Sequence, residues 1–155
     1  MNEILTVNGL RFKPFLRVDT IQEQVRRVAA EIRNDYEGKS PIFLCVLNGA
    51  FVFAADLYRE LAMTNSKIQF VKYSSYEGTN TTGEVKQVIG LSENVEGKDI
   101  IIIEDVITAG TAIRESMEIL SSLKGTKVAA TFVMVDRKEK GKTDKSAMAE
   151  VGEEF

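Results

Sequence analysis

Histidine is absent from all 155 residues of the chain. That removes imidazole general bases, histidine metal ligands and every Ser-His or Cys-His nucleophile pair at once. A single cysteine, Cys45, leaves no internal disulfide, and its place in the apolar run Ile42 to Leu47 suits a buried small hydrophobe rather than an activated thiolate. Such sparing use of cysteine fits a reducing, cytoplasmic compartment. The two prolines, Pro14 and Pro41, fall before or between candidate elements, and there is no repeat, low-complexity block or Pro/Ser-rich linker. One domain over residues 1–155 is therefore expected. Long hydrophobic runs are missing too. The longest are broken by Asn48-Gly49 and Glu104-Asp105, far short of the roughly 20 residues that a membrane span needs. Residues Met1 to Arg17 mix polar and basic positions without an apolar h-region, so no signal peptide is expected. Nor is there an excess of positive charge. Lys and Arg total 20 against 23 Asp and Glu, a net charge of -3, which lacks the electrostatic footprint of a nucleic-acid binder.

What is present alternates between two periods. Ile21, Val25, Val28, Ala29 and Ile32 have helical spacing, with Thr20 and Glu23 as a capping box and Gly38 as a stop. Ile42 to Leu47 is short and continuously apolar, a strand covered on both faces, and Asn48-Gly49 turns the chain into a helix from Phe51 to Leu61. Lys67 to Ser74 is strand-like, and Glu84 to Leu91 alternates weakly behind a polar loop, Glu77 to Gly83. Ile100 to Ile103 predicts a strand, followed by Glu104-Asp105, a small-residue loop and a helix through Leu123. Lys127 to Val135 predicts another buried strand, and Ser146 to Phe155 a helix. Alternating strands and helices favour an α/β fold with a parallel sheet, whose ligands bind at the carboxyl ends of the strands.

The sharpest segment runs Ile100-Ile-Ile-Ile-Glu-Asp-Val-Ile-Thr-Ala-Gly-Thr-Ala-Ile-Arg-Glu115. Two adjacent carboxylates at the end of a buried strand are costly unless something binds there. The small residues after them let backbone amides close around a phosphate, with helix N-terminal N–H groups and two hydroxyls as donors. A plain alternative is a polar strand end with Thr111 as an ordinary N-cap. As a unit, the segment resembles the phosphoribosyl-diphosphate (PRPP) binding motif of type I phosphoribosyltransferases. The resemblance implies that family's fold, a central, mainly parallel sheet flanked by helices with a mobile hairpin lid. It also implies that Glu104 and Asp105 hold the ribose hydroxyls and Mg2+, and that Thr108, Ala109, Gly110, Thr111 and Ala112 cradle the 5'-phosphate. The implied reaction joins a nucleobase to ribose C1 and releases pyrophosphate, with Asp105 among the catalytic residues.

Two further segments narrow the resemblance. Phe43-Leu-Cys-Val-Leu-Asn-Gly-Ala-Phe-Val-Phe53 is similar to the pyrophosphate loop of hypoxanthine-guanine phosphoribosyltransferases, which implies a cis peptide at Leu47-Asn48 and pyrophosphate contacts from Leu47, Asn48 and Gly49. Many of those enzymes carry lysine where Asn48 stands. Lys72-Tyr-Ser-Ser-Tyr-Glu-Gly-Thr-Asn-Thr-Thr-Gly83 resembles their lid, with Ser75 and Tyr76 as the catalytic dipeptide and Gly78 and Gly83 allowing movement. From Glu104 onward the likeness changes. Thr108 stands where purine enzymes place an aspartate, and Met134 or its neighbours where they place a base-contacting lysine. Residues 104–155 resemble orotate phosphoribosyltransferase, which would make Arg137 the base reader through its planar fork. A solvated charged loop over Asp136 to Lys145 is the plain alternative. The chain thus reads as a hybrid or chimera: purine salvage on hypoxanthine or guanine first, with orotate transfer or a PRPP-binding scaffold of little turnover as alternatives. Family resemblance also implies a homo-oligomer, dimer or tetramer.

Overall fold

The computed structural model describes residues 4–74, 86–89, 91 and 94–155. The chain opens on a hairpin, β1 (Leu5–Val7) against β2 (Leu10–Phe12), that the apolar periodicity did not predict. Its signal is nonetheless in the sequence. Asn8-Gly9 adopts positive φ at both positions, 50° and 77°, as a two-residue hairpin turn requires, between two apolar-polar-apolar triplets.

Helix α1 (Val18–Asp35) leads into the strand β3 (Ile42–Val46), the helix α2 (Phe51–Leu61) and the strand β4 (Lys67–Ser74). After β5 (Lys86–Ile89) come β6 (Asp99–Ile107), α3 (Thr111–Ser121), β7 (Lys127–Asp136) and α4 (Ala147–Glu154). The sheet has the order β5-β4-β3-β6-β7; β4, β3, β6 and β7 are parallel, and β5 is antiparallel to β4. Every residue of β3 is buried, as are Ile100 to Ile103 of β6, so the two central strands form the floor of the core. Side chains alternate across them. Phe43, Cys45, Ile101 and Ile103 pack under α1 and α2 with Ala29, Ile32 and Leu57, while Leu44, Val46, Ile100 and Ile102 face Leu120 of α3. A smaller cluster, Ile107, Ile113, Ala147 and Val151, docks α4 against α3 and the end of β6. Among the described residues no helix is long and apolar enough to cross a membrane.

Three expectations need correction. Helix α1 begins at Val18, so Thr20 lies inside its first turn and the Thr20/Glu23 capping box does not form; Arg17 is the N-cap and makes no side-chain capping bond. Asp19 in that first turn instead sets a negative charge against the helix dipole. Strand β6 does not stop at Ile103. It continues through Glu104 and Asp105 because its ladder with β7 persists, pairing Glu104 with Val133 and Ile107 with Asp136. Strand β7 is not buried: as an edge strand with one neighbour it has no fully buried residue, and Met134 is 50% exposed.

Candidate functional site

The carboxyl ends of β3 and β6 lie side by side, and this brings the turn after β3 onto the acidic pair of β6. The Leu47–Asn48 peptide is cis. Leu47 donates its N–H to the Val71 carbonyl at 2.8 Å, and Asn48 accepts from the Phe51 N–H at 3.3 Å, closing the turn into α2. Gly49 lies so close to Asp105 that a Cβ on it would fall 1.6 Å from Asp105 Oδ2. The glycine is there because the carboxylate fills the space where a side chain would stand.

Both carboxylates are folded back on the chain. Asp105 donates its N–H to Glu104 Oε1 at 3.0 Å, and Val106 donates its N–H to Asp105 Oδ1 at 2.8 Å. Glu104 is buried, and its Oε2 has no hydrogen-bond partner among the described residues. Burial foremost, then the neighbouring Asp105 side chain, pushes its pKa up to about 8, while the Asp105 backbone N–H acts in the opposite direction. An orphaned carboxylate oxygen at a strand end is a group that awaits a donor or a cation. Beneath it, Cys45 pairs with Ile103 across the ladder. Burial first, then the charges of Glu104 and Asp105, raise that thiol to about 11, which keeps it inert.

Beyond Ile107 the loop 108–110 turns into α3. Gly110, at φ 76°, is the N-cap in place of Thr111, and no side chain caps the helix. A cavity of about 270 Å3 opens here, lined by Glu104, Asp105, Thr108, Gly110, Thr111 and Ala112 among others. Four of the five expected cradle residues thus face one space. Ala109 is not among them: its carbonyl accepts from Arg114 Nη1 at 2.6 Å, on the other side of the loop. A Cβ at Gly110 would likewise meet Arg114 Nη1 at 2.9 Å and Val151 Cγ2 at 3.1 Å rather than enter the cavity.

Arg137 follows β7, and its N–H reaches the Ile107 carbonyl at 3.4 Å, so its backbone borders the β6 terminus. Its guanidinium pairs with Glu139 Oε1 at 2.6 Å, is 58% exposed and does not line the cavity. Ser75 and Tyr76, with Gly78, Gly83 and the hairpin lid they were expected to form, lie outside the described residues. The sequence reading overlooked one polar cluster. Partly buried Arg114 donates to Glu150 Oε2 at 3.0 Å and to Glu154 Oε2 at 2.7 Å. Glu150 also accepts from the backbone N–H groups of Lys142 and Thr143, at 2.8 and 2.6 Å. Two glutamates one helical turn apart on α4 were the available signal.

The chain matches the phosphoribosyl transferase domain family over residues 17–153. It belongs to that family. Its type I architecture, a parallel four-stranded sheet flanked by helices with β5 added antiparallel, agrees with the resemblance of the β6–α3 segment. The chain is similar to the hypoxanthine-guanine phosphoribosyltransferase of Aquifex aeolicus, 33% identical over 143 residues, which covers 91% of this chain and 79% of that enzyme. The Staphylococcus aureus enzyme of the same name is 32% identical over 130 residues, 83% of this chain and 72% of the relative. Among solved structures, a Bacillus anthracis hypoxanthine-guanine phosphoribosyltransferase superposes with a TM-score of 0.70 at 32% identity, covering 86% of this chain and 78% of the other. A Staphylococcus aureus hypoxanthine phosphoribosyltransferase gives 0.71 at 30%, covering 86% and 72%. With 91% of the chain covered, the Aquifex match must run past Glu104. The phosphoribosyltransferase likeness therefore does not break where the two halves were expected to meet, and these relatives give no support to a hybrid.

Proposed function

We propose that the chain transfers the phosphoribosyl group of PRPP to hypoxanthine or guanine, giving the nucleoside 5'-monophosphate and pyrophosphate. One observation carries this reading: the orphaned Glu104 Oε2 and the Asp105 carboxylate stand between the Gly49 turn and the cavity of loop 108–112. A molecule with a diol flanked by phosphates suits that arrangement. Glu104 and Asp105 would take the ribose 2'- and 3'-hydroxyls. Thr108, Gly110, Thr111, Ala112 and the uncapped start of α3 would take the 5'-phosphate. Leu47, Asn48 and Gly49 would meet the pyrophosphate, and Ser75 and Tyr76 would close over it.

A nitrogen of the base bonds to C1 as the bond from C1 to pyrophosphate breaks, and the base gives up its proton to the leaving pyrophosphate or to water. Thr108 cannot take that proton near neutral pH, so the side chains contribute chiefly by positioning and by donors aimed at leaving oxygens. Mg2+ fits the donor set in a restricted way. Among the described residues no group of three or more Asp, Glu or Cys side chains could hold a metal alone, so Glu104 and Asp105 would hold the ion only together with bound PRPP. When bound, Mg2+ supplies charge neutralisation for the leaving pyrophosphate.

Orotate is a second reading because the backbone of Arg137 borders the β6 terminus while Thr108 lacks the purine enzymes' carboxylate. A homo-oligomer in the cytoplasm completes the proposal, supported by exposed Leu5, Leu10, Phe12 and Phe15 near the N-terminus; sedimentation velocity checks the assembly. The deciding assay measures pyrophosphate release from Mg-PRPP with hypoxanthine, guanine, xanthine and orotate, beside calorimetry of PRPP alone. Release with hypoxanthine or guanine is the expected result. Release with orotate alone would move the assignment to the pyrimidine; binding without turnover would leave a scaffold.

A further inference from the structure

The back of the phosphate loop is held by one side chain. Arg114 stands in the first turn of α3, its N–H bonded to the Gly110 carbonyl at 3.1 Å. Its guanidinium reaches three acceptors in different directions: the Ala109 carbonyl, Glu150 and Glu154. A trans peptide points its C=O and N–H in opposite directions. Holding the Ala109 carbonyl against Arg114 therefore turns the Gly110 N–H away from it, to the loop face that the cavity occupies. Gly110 reports the same geometry, because its missing Cβ faces Arg114 and Val151.

The anchor is itself well fixed. Glu150 is buried and accepts from Arg114, from the Lys142 and Thr143 backbone and from Thr143 Oγ1 at 2.5 Å. Gly141 has to be glycine for this, since a Cβ there would fall 1.9 Å from Glu150 Oε2. The loop 108–110 and the segment 142–143 are thus linked through Arg114 and Glu150.

We propose that Arg114 is a positioning residue for the phosphate loop, anchored by Glu150 and Glu154, and that it sets the loop's affinity for the 5'-phosphate of PRPP. This deepens the function proposed above and rests on it. The three acceptors are met by three different nitrogens of the planar fork; a lysine ammonium, with all its donors on one atom, keeps the charge and one carboxylate but releases the Ala109 carbonyl.

The test compares the full chain with Arg114→Lys and Glu154→Gln, reading steady-state kinetics, thermal melting and the melting shift given by Mg-PRPP. Arg114→Lys should raise KM for PRPP about tenfold, the loss of one charge-assisted hydrogen bond, while kcat at saturating PRPP and KM for the base stay within about twofold. The melting shift from Mg-PRPP should shrink in parallel, while the unliganded melting temperature holds within a few degrees. Glu154→Gln, at a half-exposed position, leaves Glu150 in place and should raise KM for PRPP about two- to threefold even if the lysine variant fails to fold. Unchanged KM for PRPP in Glu154→Gln together with either unchanged KM or a folding failure in Arg114→Lys would overturn the inference and leave the function standing. A wild-type chain that neither turns over nor is stabilised by Mg-PRPP would overturn both.

Discussion

The carboxyl ends of β6 and β7 are neighbours in one ladder, Ile107 opposite Asp136, yet they are built in opposite ways. At the end of β6 the carboxylates are drawn in, each oxygen that is satisfied is held by the chain's own backbone, and the following loop is clamped from behind by a partly buried arginine. At the end of β7, Arg137, Lys138, Glu139 and Asp136 pair with one another at the surface. Exposed pairs of that kind contribute little to stability and hold no side chain in one place. The side proposed for the phosphate is therefore preorganised by the fold, whereas the side proposed for the base is made of surface residues that a substitution can change without disturbing the core.

Gly49→Ala strikes this difference hardest. A Cβ in the space of Asp105 Oδ2 must displace either the carboxylate or the turn by an ångström or more, and kcat/KM for PRPP should fall about a hundredfold or more in initial-rate assays. Retained activity would show that the two strand ends are not locked together. Asp105→Asn should weaken PRPP about tenfold by calorimetry, since a neutral amide replaces a charged acceptor for the ribose diol. Unchanged affinity would remove Asp105 from the ribose.

Glu104 sharpens the comparison through pH. Its pKa is raised to about 8 in the folded chain from an ordinary value near 4.5, so between those limits the folded state holds a proton that the unfolded state has lost. Its contribution is full below pH 4.5 and disappears as pH rises through 8. The unliganded melting temperature should decline over that window, and Glu104→Gln should flatten the decline in scanning calorimetry. Arg137→Ala should have the smallest effect on the scaffold: melting unchanged within a degree or two and PRPP affinity within about twofold, with any use of orotate lost. A parallel fall in PRPP affinity would mean that the surface end of β7 is as integral as the buried end of β6.

Much of this contrast was legible beforehand, for reasons that differ between elements. Phe51–Leu61 and Lys67–Ser74 lie where the pattern places them, because a 3.6-residue or two-residue period over a core-facing stretch leaves few alternatives. The acidic pair and small-residue loop were visible because their chemistry is local. The continuation of β6 beyond Ile103 was not, since it depends on a ladder with β7 that no residue of β6 encodes. The start of α1 was misplaced because Thr20 and Glu23 have the spacing of a cap while Val18 already begins the helix. Arg114 escaped notice for a similar reason: its acceptors are Ala109, five residues back, and two glutamates 36 and 40 residues ahead.

Sequence by itself determined the α/β alternation, the absence of histidine and disulfide chemistry, and the phosphate-type loop after β6, all properties of short windows or of composition. Tertiary structure decided that Gly49 abuts Asp105, that Glu104 keeps an unpartnered oxygen, that Ala109 faces away from the cavity and that β7 is an exposed edge. Those outcomes depend on which strands become neighbours and what remains to cover them, and pairing between distant segments is a property of the whole packed chain.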